Sequence, residues 1–256
     1  MDLSRLPEDV RKMIGNAAST QIATGRSKNH VFRVENSTGV RFLKVSSQNG
    51  SAEIQREHRV LDWLSVLAFP FSPVPLYCHS SLSFDVLLMS SIAGANLDTR
   101  RRVTSEMAFE CARVLRDVHR LPVEACPFDQ RLSVKIPSAR KLVEAGLVDE
   151  SDFDSERQGR SAPSVLDEIF ARKPKNEDVV FTHGDFSPAN VLFTGPGVSG
   201  LVDWGRAGLA DRYQDLALFC RSLENTELIN GFLSAYGIED VDQEKLEFYV
   251  LLDELF

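Results

Sequence analysis

FTHGDFSPANVLFTGPGVSGLVDWGRAGLADRYQDLAL, residues 181–218, is the stretch on which the reading of this chain turns. Val179, Val180 and Phe181 form an apolar, β-branched and aromatic lead-in that reads as a buried strand. His183-Gly184-Asp185 breaks into a loop containing Pro188, and the chain returns through Val191-Leu192-Phe193. After a turn at Gly195, Pro196 and Gly197, a second apolar run, Leu201-Val202, ends at Asp203-Trp204-Gly205. Asp185, Asn190 and Asp203 therefore sit just after or between short strands.

Those residue types in that order suit phosphoryl transfer. Moving a γ-phosphoryl group needs little covalent help but much positioning and charge neutralisation. One carboxylate must orient an acceptor hydroxyl and take its proton, a role that fits Asp185. Oxygen ligands must hold Mg²⁺, a hard cation that keeps several waters and needs few protein groups. Asn190 and Asp203 fit as those ligands. Asp-x4-Asn followed by an Asp-x-Gly triplet matches the catalytic-loop and metal-binding logic of protein kinases. Here His183-Gly184-Asp185 replaces the usual His-Arg-Asp, and Trp204 replaces the usual Phe.

HGDFSPAN followed by VDWGRAGLADRYQD closely resembles the aminoglycoside phosphotransferases, specifically the 3′-phosphotransferases that inactivate kanamycin- and neomycin-like antibiotics. CPFD (residues 126–129), EAGLVDESDFD (residues 144–154) and the final LLDELF (residues 251–256) resemble the same subfamily, so the likeness covers nearly the whole chain. HGD-x4-N alone would indicate only the wider kinase-like group. The resemblance implies an α+β, bilobal protein-kinase-like fold: a small N-lobe with an antiparallel sheet and a larger, mainly helical C-lobe. It also implies ATP and Mg²⁺ as cofactors and an aminoglycoside as the acceptor.

Composition bounds the partners. Of 256 residues, 43% are hydrophobic and 26% charged, ordinary for a soluble globular protein long enough to bury a core. Cys78, Cys111, Cys126 and Cys220 are scattered, with no CxxC pair, which argues against a zinc site or a disulfide framework and fits a reducing cytoplasm. The opening MDLSRLPEDVRK is too polar to read as a signal peptide, and no apolar run approaches membrane-spanning length. A net charge of −8, from 29 basic and 37 acidic residues, serves solubility and also suits a polycationic partner rather than nucleic acid. A monomer or weak dimer is expected.

Along the chain, Leu6, Val10, Met13 and Ile14 have helical spacing within residues 3–15. Residues 22–34 read as strand, polar turn, strand. The resemblance makes this a hairpin over the nucleotide phosphates with Ser27 as a donor; the local sequence, lacking GxGxxG, fits an ordinary hairpin equally well. Residues 40–45 alternate as a strand ending in Lys44, and residues 53–64 form an amphipathic helix with Ile54, Leu61 and Leu64 on one face and Glu57 on the adjacent rows. Lys44 at a strand end can simply reach solvent. In the kinase plan, however, a strand lysine contacts the phosphates and pairs with a helix glutamate, and Lys44 and Glu57 match those positions. Phe42 matches an aromatic that stacks on adenine, or packs in the core. Pro70, Pro73 and Pro75 punctuate a connection leading to an apolar strand, residues 86–89. The small residues that come next place a hinge near residues 89–94, dividing an N-terminal nucleotide-binding lobe (1–91) from a C-terminal catalytic and aminoglycoside-binding lobe (92–256). Backbone groups of Ser90 and Ile92 are candidates for the adenine edge there, though a plain loop looks similar.

Met107, Phe109, Ala112, Val114, Leu115 and Val118 mark a long buried helix over residues 105–120, with His119 structural near its end. Residues 149–156 are a concentrated acidic loop, by default a solvated one. The resemblance makes Asp154 and Glu156 carboxylates of the aminoglycoside pocket, and a second helix comes after them over residues 164–171. His183 braces the catalytic loop, Arg206 pairs with a phosphate or an internal carboxylate, and Asp211, Arg212 and Asp215 include buried groups that fix this segment. A last helix spans residues 242–255, with Leu246, Phe248, Tyr249, Leu251, Leu252 and Leu255 apolar. Asp253, Glu254 and Phe256 form an anionic end, which the resemblance assigns to substrate ammonium groups. The expected activity is ATP-dependent phosphorylation of the aminoglycoside 3′-hydroxyl, conferring resistance. The alternatives are a kinase of the same fold for choline, homoserine or a macrolide, or a non-catalytic nucleotide-binding protein.

Overall fold

The computed structural model describes residues 6–15, 17–22, 29–47, 52–81, 84–97 and 102–256. They fall into two compact units, one formed by the chain up to Ala95 together with Ser199–Gly205, the other by Asn96–Val198 and Arg206–Phe256. The return of Ser199–Gly205 to the first unit carries no signal in the sequence.

The first unit contains α1 (Glu8–Ile14), β1 (Ala18–Ile22), β2 (His30–Asn36), β3 (Gly39–Ser47), α2 (Ala52–Val66), β4 (Pro75–Ser80) and β5 (Phe84–Ser90). The strands form one antiparallel sheet in the order β1-β2-β3-β5-β4. The pleat of β3 sorts its side chains. Leu43 and Val45 join Val10 and Ile14 of α1, Leu6 just before it, and Phe32, Val34, Val86 and Leu88 in one buried cluster. Phe42 and Lys44 alternate to the opposite face, where Lys44 stands level with Val31 on β2 and Leu87 on β5. Met13, expected on the apolar face of the first helix, is instead 41% exposed, because Val10 and Ile14 already occupy the side turned to the sheet. β4 lies where the prolines suggested only a connection. It begins at Pro75 and forms the sheet edge, a position a proline tolerates.

After β6 (Ala95–Asn96), the second unit contains α3 (Ser105–His119), α4 (Leu132–Glu144), α5 (Ala162–Arg172), β7 (Val179–Thr182), β8 (Val191–Thr194), β9 (Gly197–Leu201, running out into the first unit), β10 (Gly208–Asp211), α6 (Tyr213–Arg221), α7 (Thr226–Tyr236) and α8 (Gln243–Asp253). Thr104 caps α3 by accepting the Met107 N–H at 3.2 Å. The buried face of α3 is Ala108, Cys111, Ala112, Val114, Leu115, Val118 and His119. Phe109, expected in the core, lies off that face and is 55% exposed. α4 has no counterpart among the expected elements. Pro137 interrupts the pattern in sequence, yet the helix continues because Leu132, Ile136 and Ala139 bury on one side. Every residue from Tyr213 to Cys220 is buried, the polar Gln214 and Asp215 included. In α8 the expected apolar residues are all buried. Among the described residues, no helix is long and apolar enough to cross a membrane.

These placements separate two substitutions that look alike on paper. Leu115→Ala, in the fully buried face of α3, should cost about 2–5 kcal/mol in urea-induced unfolding. Phe109→Ser should stay within about 0.5 kcal/mol of wild type. Equal losses would contradict the burial of α3.

Candidate active site

In the first unit the geometry is set by a strand facing a helix. Glu57 belongs to the buried face of α2 with Ile54, Leu61 and Leu64, rather than beside it, and is 2% exposed. Lys44 Nζ donates to both Glu57 oxygens at 2.8 Å and to Asp203 Oδ1 at 3.0 Å. Burial alone would lower the lysine pKa, but the Glu57 and Asp203 carboxylates outweigh it and hold the ammonium above its ordinary value. Lys44 is a fixed cation.

Asp203 has φ +68°, a left-handed conformation that Asp tolerates better than bulkier residues. Its neighbour Trp204 is anchored at three points. The Trp204 N–H donates to Glu57 Oε1 at 3.3 Å, its fully buried indole donates to the Leu201 carbonyl at 3.0 Å, and its ring meets Phe69 edge-on at 5.9 Å. Leu201 N–H in turn donates to the Phe71 carbonyl at 2.7 Å. Trp204, for which sequence offers no role, fixes the backbone that carries Asp203.

Phe42 is half-buried. Ser90 exchanges bonds with Val74: its N–H donates to the Val74 carbonyl and its hydroxyl accepts the Val74 N–H, both at 2.9 Å. Ser27 lies outside the described residues.

In the second unit β7 delivers His183-Gly184-Asp185. Asp215, fully buried on α6, accepts the His183 N–H and the Gly184 N–H, each at 2.7 Å, and lies 3.0 Å from His119 Nε2. Burial would raise the Asp215 pKa, but the bonds from His119 and the His183 amide hold it below the usual carboxylate range. His119 Nδ1 lies 2.6 Å from the Tyr236 hydroxyl, which also accepts from Arg212 at 3.2 Å. Asp185 comes directly after these two amides, and Asn190 Nδ2 donates to its carbonyl and to its Oδ2, both at 2.9 Å. Gly184 has φ +82°, and a Cβ there would overlap the Arg206 carbonyl. That explains glycine where the kinase triplet usually has arginine.

The acidic residues near the end of the chain are not free carboxylates. Glu254, its side chain 3% exposed, accepts the Asp154 N–H at 3.0 Å and Arg157 at 3.3 Å. Asp253 accepts from Arg206 at 3.2 Å and Arg221 at 2.8 Å, and Arg221 also lies 3.6 Å from Asp154. The structure thus gathers Asp154, Asp253 and Glu254 around three arginines. Of those, only Arg206 stands out in sequence, as a partner for a phosphate or a carboxylate; Arg157 and Arg221 carry no sequence signal. Glu156 is exposed, and Phe256 is 39% exposed.

A model of the phosphotransferase enzyme family matches residues 19–249. The chain belongs to that family. It is 32% identical over 262 residues to an aminoglycoside 3′-phosphotransferase of Niallia circulans, a match covering 98% of this chain and 97% of that one. The crystal structure of an aminoglycoside-3′-phosphotransferase of type VIII superposes with a TM-score of 0.87 at 32% identity, covering 97% of each chain. The aminoglycoside phosphotransferase APH(3″)-Id from Streptomyces rimosus, in complex with ADP and streptomycin, superposes with a TM-score of 0.84 at 26% identity, covering 100% of this chain and 98% of that one.

In this phosphotransferase the position of Asp185 depends on the two amides before it. Gly184→Ala should therefore lower turnover by about two orders of magnitude, the scale that misplacing a catalytic group by about 1 Å costs. Steady-state kinetics, with circular dichroism confirming the folded protein, measures this. Wild-type turnover in the variant would show that the loop does not need glycine.

Proposed function

We propose that this phosphotransferase transfers the γ-phosphoryl group of ATP to the 3′-hydroxyl of an aminoglycoside of the kanamycin or neomycin type, making its host resistant. The observation that carries the mechanism is Asp185, oriented by Asn190 and set by backbone that Asp215 pins. Full-length likeness to proteins named aminoglycoside 3′-phosphotransferase supports the acceptor. The net charge of −8 suits a polycationic small molecule over nucleic acid. Free cysteines fit a cytoplasmic enzyme.

In the proposed step the 3′-oxygen attacks the γ-phosphorus in line while Asp185 accepts the hydroxyl proton. The bond from γ-phosphorus to the bridging oxygen breaks, and ADP leaves with that electron pair. Lys44, held protonated by its two carboxylates, would bind the phosphates. Among the described residues there is no cluster of three or more His, Cys, Asp or Glu fit for a metal. Mg²⁺ needs few protein groups, and Asn190 and Asp203 are each of the oxygen-donor type it takes. With the Asn190 amide nitrogen bonded to Asp185, its oxygen is the end available to a cation, and Asp203 would supply a carboxylate. Bound there, Mg²⁺ would neutralise charge on the phosphates. Asp154, Glu156, Asp253, Glu254 and Phe256 would bind the acceptor, with Arg157, Arg206 and Arg221 holding the paired carboxylates in place.

Asp185→Ala should reduce kanamycin-dependent ADP release by about 10²–10⁴-fold, the usual contribution of a general base. ATP-analogue binding, measured by calorimetry, should persist. Near-normal turnover in this variant would refute the mechanism.

A further inference from the structure

One buried cation has no role in that chemistry. Lys135, on α4, is 5% exposed, and its ammonium donates to Gln214 Oε1 at 2.7 Å. Gln214 is itself 1% exposed, and its amide nitrogen has no hydrogen-bond partner among the described residues. The same ammonium lies 5.4 Å from the centroid of the Phe256 ring. Burial lowers the Lys135 pKa to about 8, against the pull of Asp253. The other charges it feels are Arg206, Asp215 on α6 and Asp185 beyond β7. Leucine or methionine would fill this volume without desolvating a charge. What the ammonium adds is a bond to Gln214, attraction to an aromatic face and balance for Asp253.

We propose that Lys135 is a positioning residue for acceptor binding: its ammonium seats the Phe256 ring, and with it the end of α8 that carries Asp253 and Glu254. The inference rests on the proposed function, in which those residues meet the aminoglycoside. Lys135 acts through Phe256 rather than on the substrate, so it should govern acceptor affinity and leave the chemical step alone.

The contact can be read without any substrate. With a single 4-fluorophenylalanine at position 256 of the full chain, the wild-type ¹⁹F resonance should titrate with a midpoint at about pH 8, as Lys135 loses its proton. In Lys135→Arg, which stays charged, that titration should vanish and the resonance should stay near the wild-type acid limit. In Lys135→Met it should also vanish, with the resonance shifted. In kinetics, Lys135→Met should raise KM for kanamycin about tenfold, with kcat and KM for ATP unchanged, and Lys135→Arg should restore it. A wild-type resonance that moves nowhere up to about pH 11, past the ordinary lysine value, overturns the inference and requires no variant to fold. So does an unchanged kanamycin KM in folded Lys135→Met. Wild-type enzyme inert toward kanamycin would overturn the function instead, while the resonance still decides whether Lys135 holds the ring.

Discussion

A carboxylate with no solvent exposure, Asp215, is the constraint that shapes the loop carrying His183, Gly184 and Asp185. Removing such a charge from water costs several kcal/mol unless it is fully hydrogen-bonded. Asp215 meets that demand by taking two successive backbone amides, His183 and Gly184, together with His119. Two neighbouring amides aimed at one anion require unusual backbone torsions, and Gly184 supplies a positive φ. Once both amides are fixed, Asp185 has little freedom left, and Asn190 removes more. The position of Asp185 is thus set by the fully buried Asp215.

The first unit solves its own problem in the same way. Glu57 is buried on the apolar face of α2, and Lys44 and the Trp204 amide compensate it. Because Trp204 is bound through its backbone, its indole and its ring edge, the neighbouring Asp203 is held in a left-handed conformation beside a permanent cation. In each unit, a buried acid converts a short loop into a rigid mount for a half-buried one.

Much of this is legible in sequence because the chemistry restricts residue types and spacing. Asp185, Asn190 and Asp203 stand out from the loops that interrupt apolar runs, whereas Lys44 and Glu57 are paired only by their match to the strand lysine and helix glutamate of the kinase plan. Elements that break those patterns are hidden. α4 contains Pro137, α6 is buried all round, and β4 starts among prolines. Pairings between distant residues are hidden too. Nothing in the local sequence of Arg157, Arg221 or Lys135 announces that they meet the end of the chain, since each contact exists only after the helices pack. Phe109 misleads for the converse reason: apolar character alone does not say which side of a helix is covered.

The most direct test is acceptor regiochemistry. Purified enzyme with Mg²⁺ and ATP would be given kanamycin or tobramycin, which lacks the 3′-hydroxyl, and ADP release measured. Turnover of kanamycin with none of tobramycin is the predicted result, and it would place transfer at the 3′-oxygen. Comparable turnover of both, or of neither, would contradict 3′-phosphorylation.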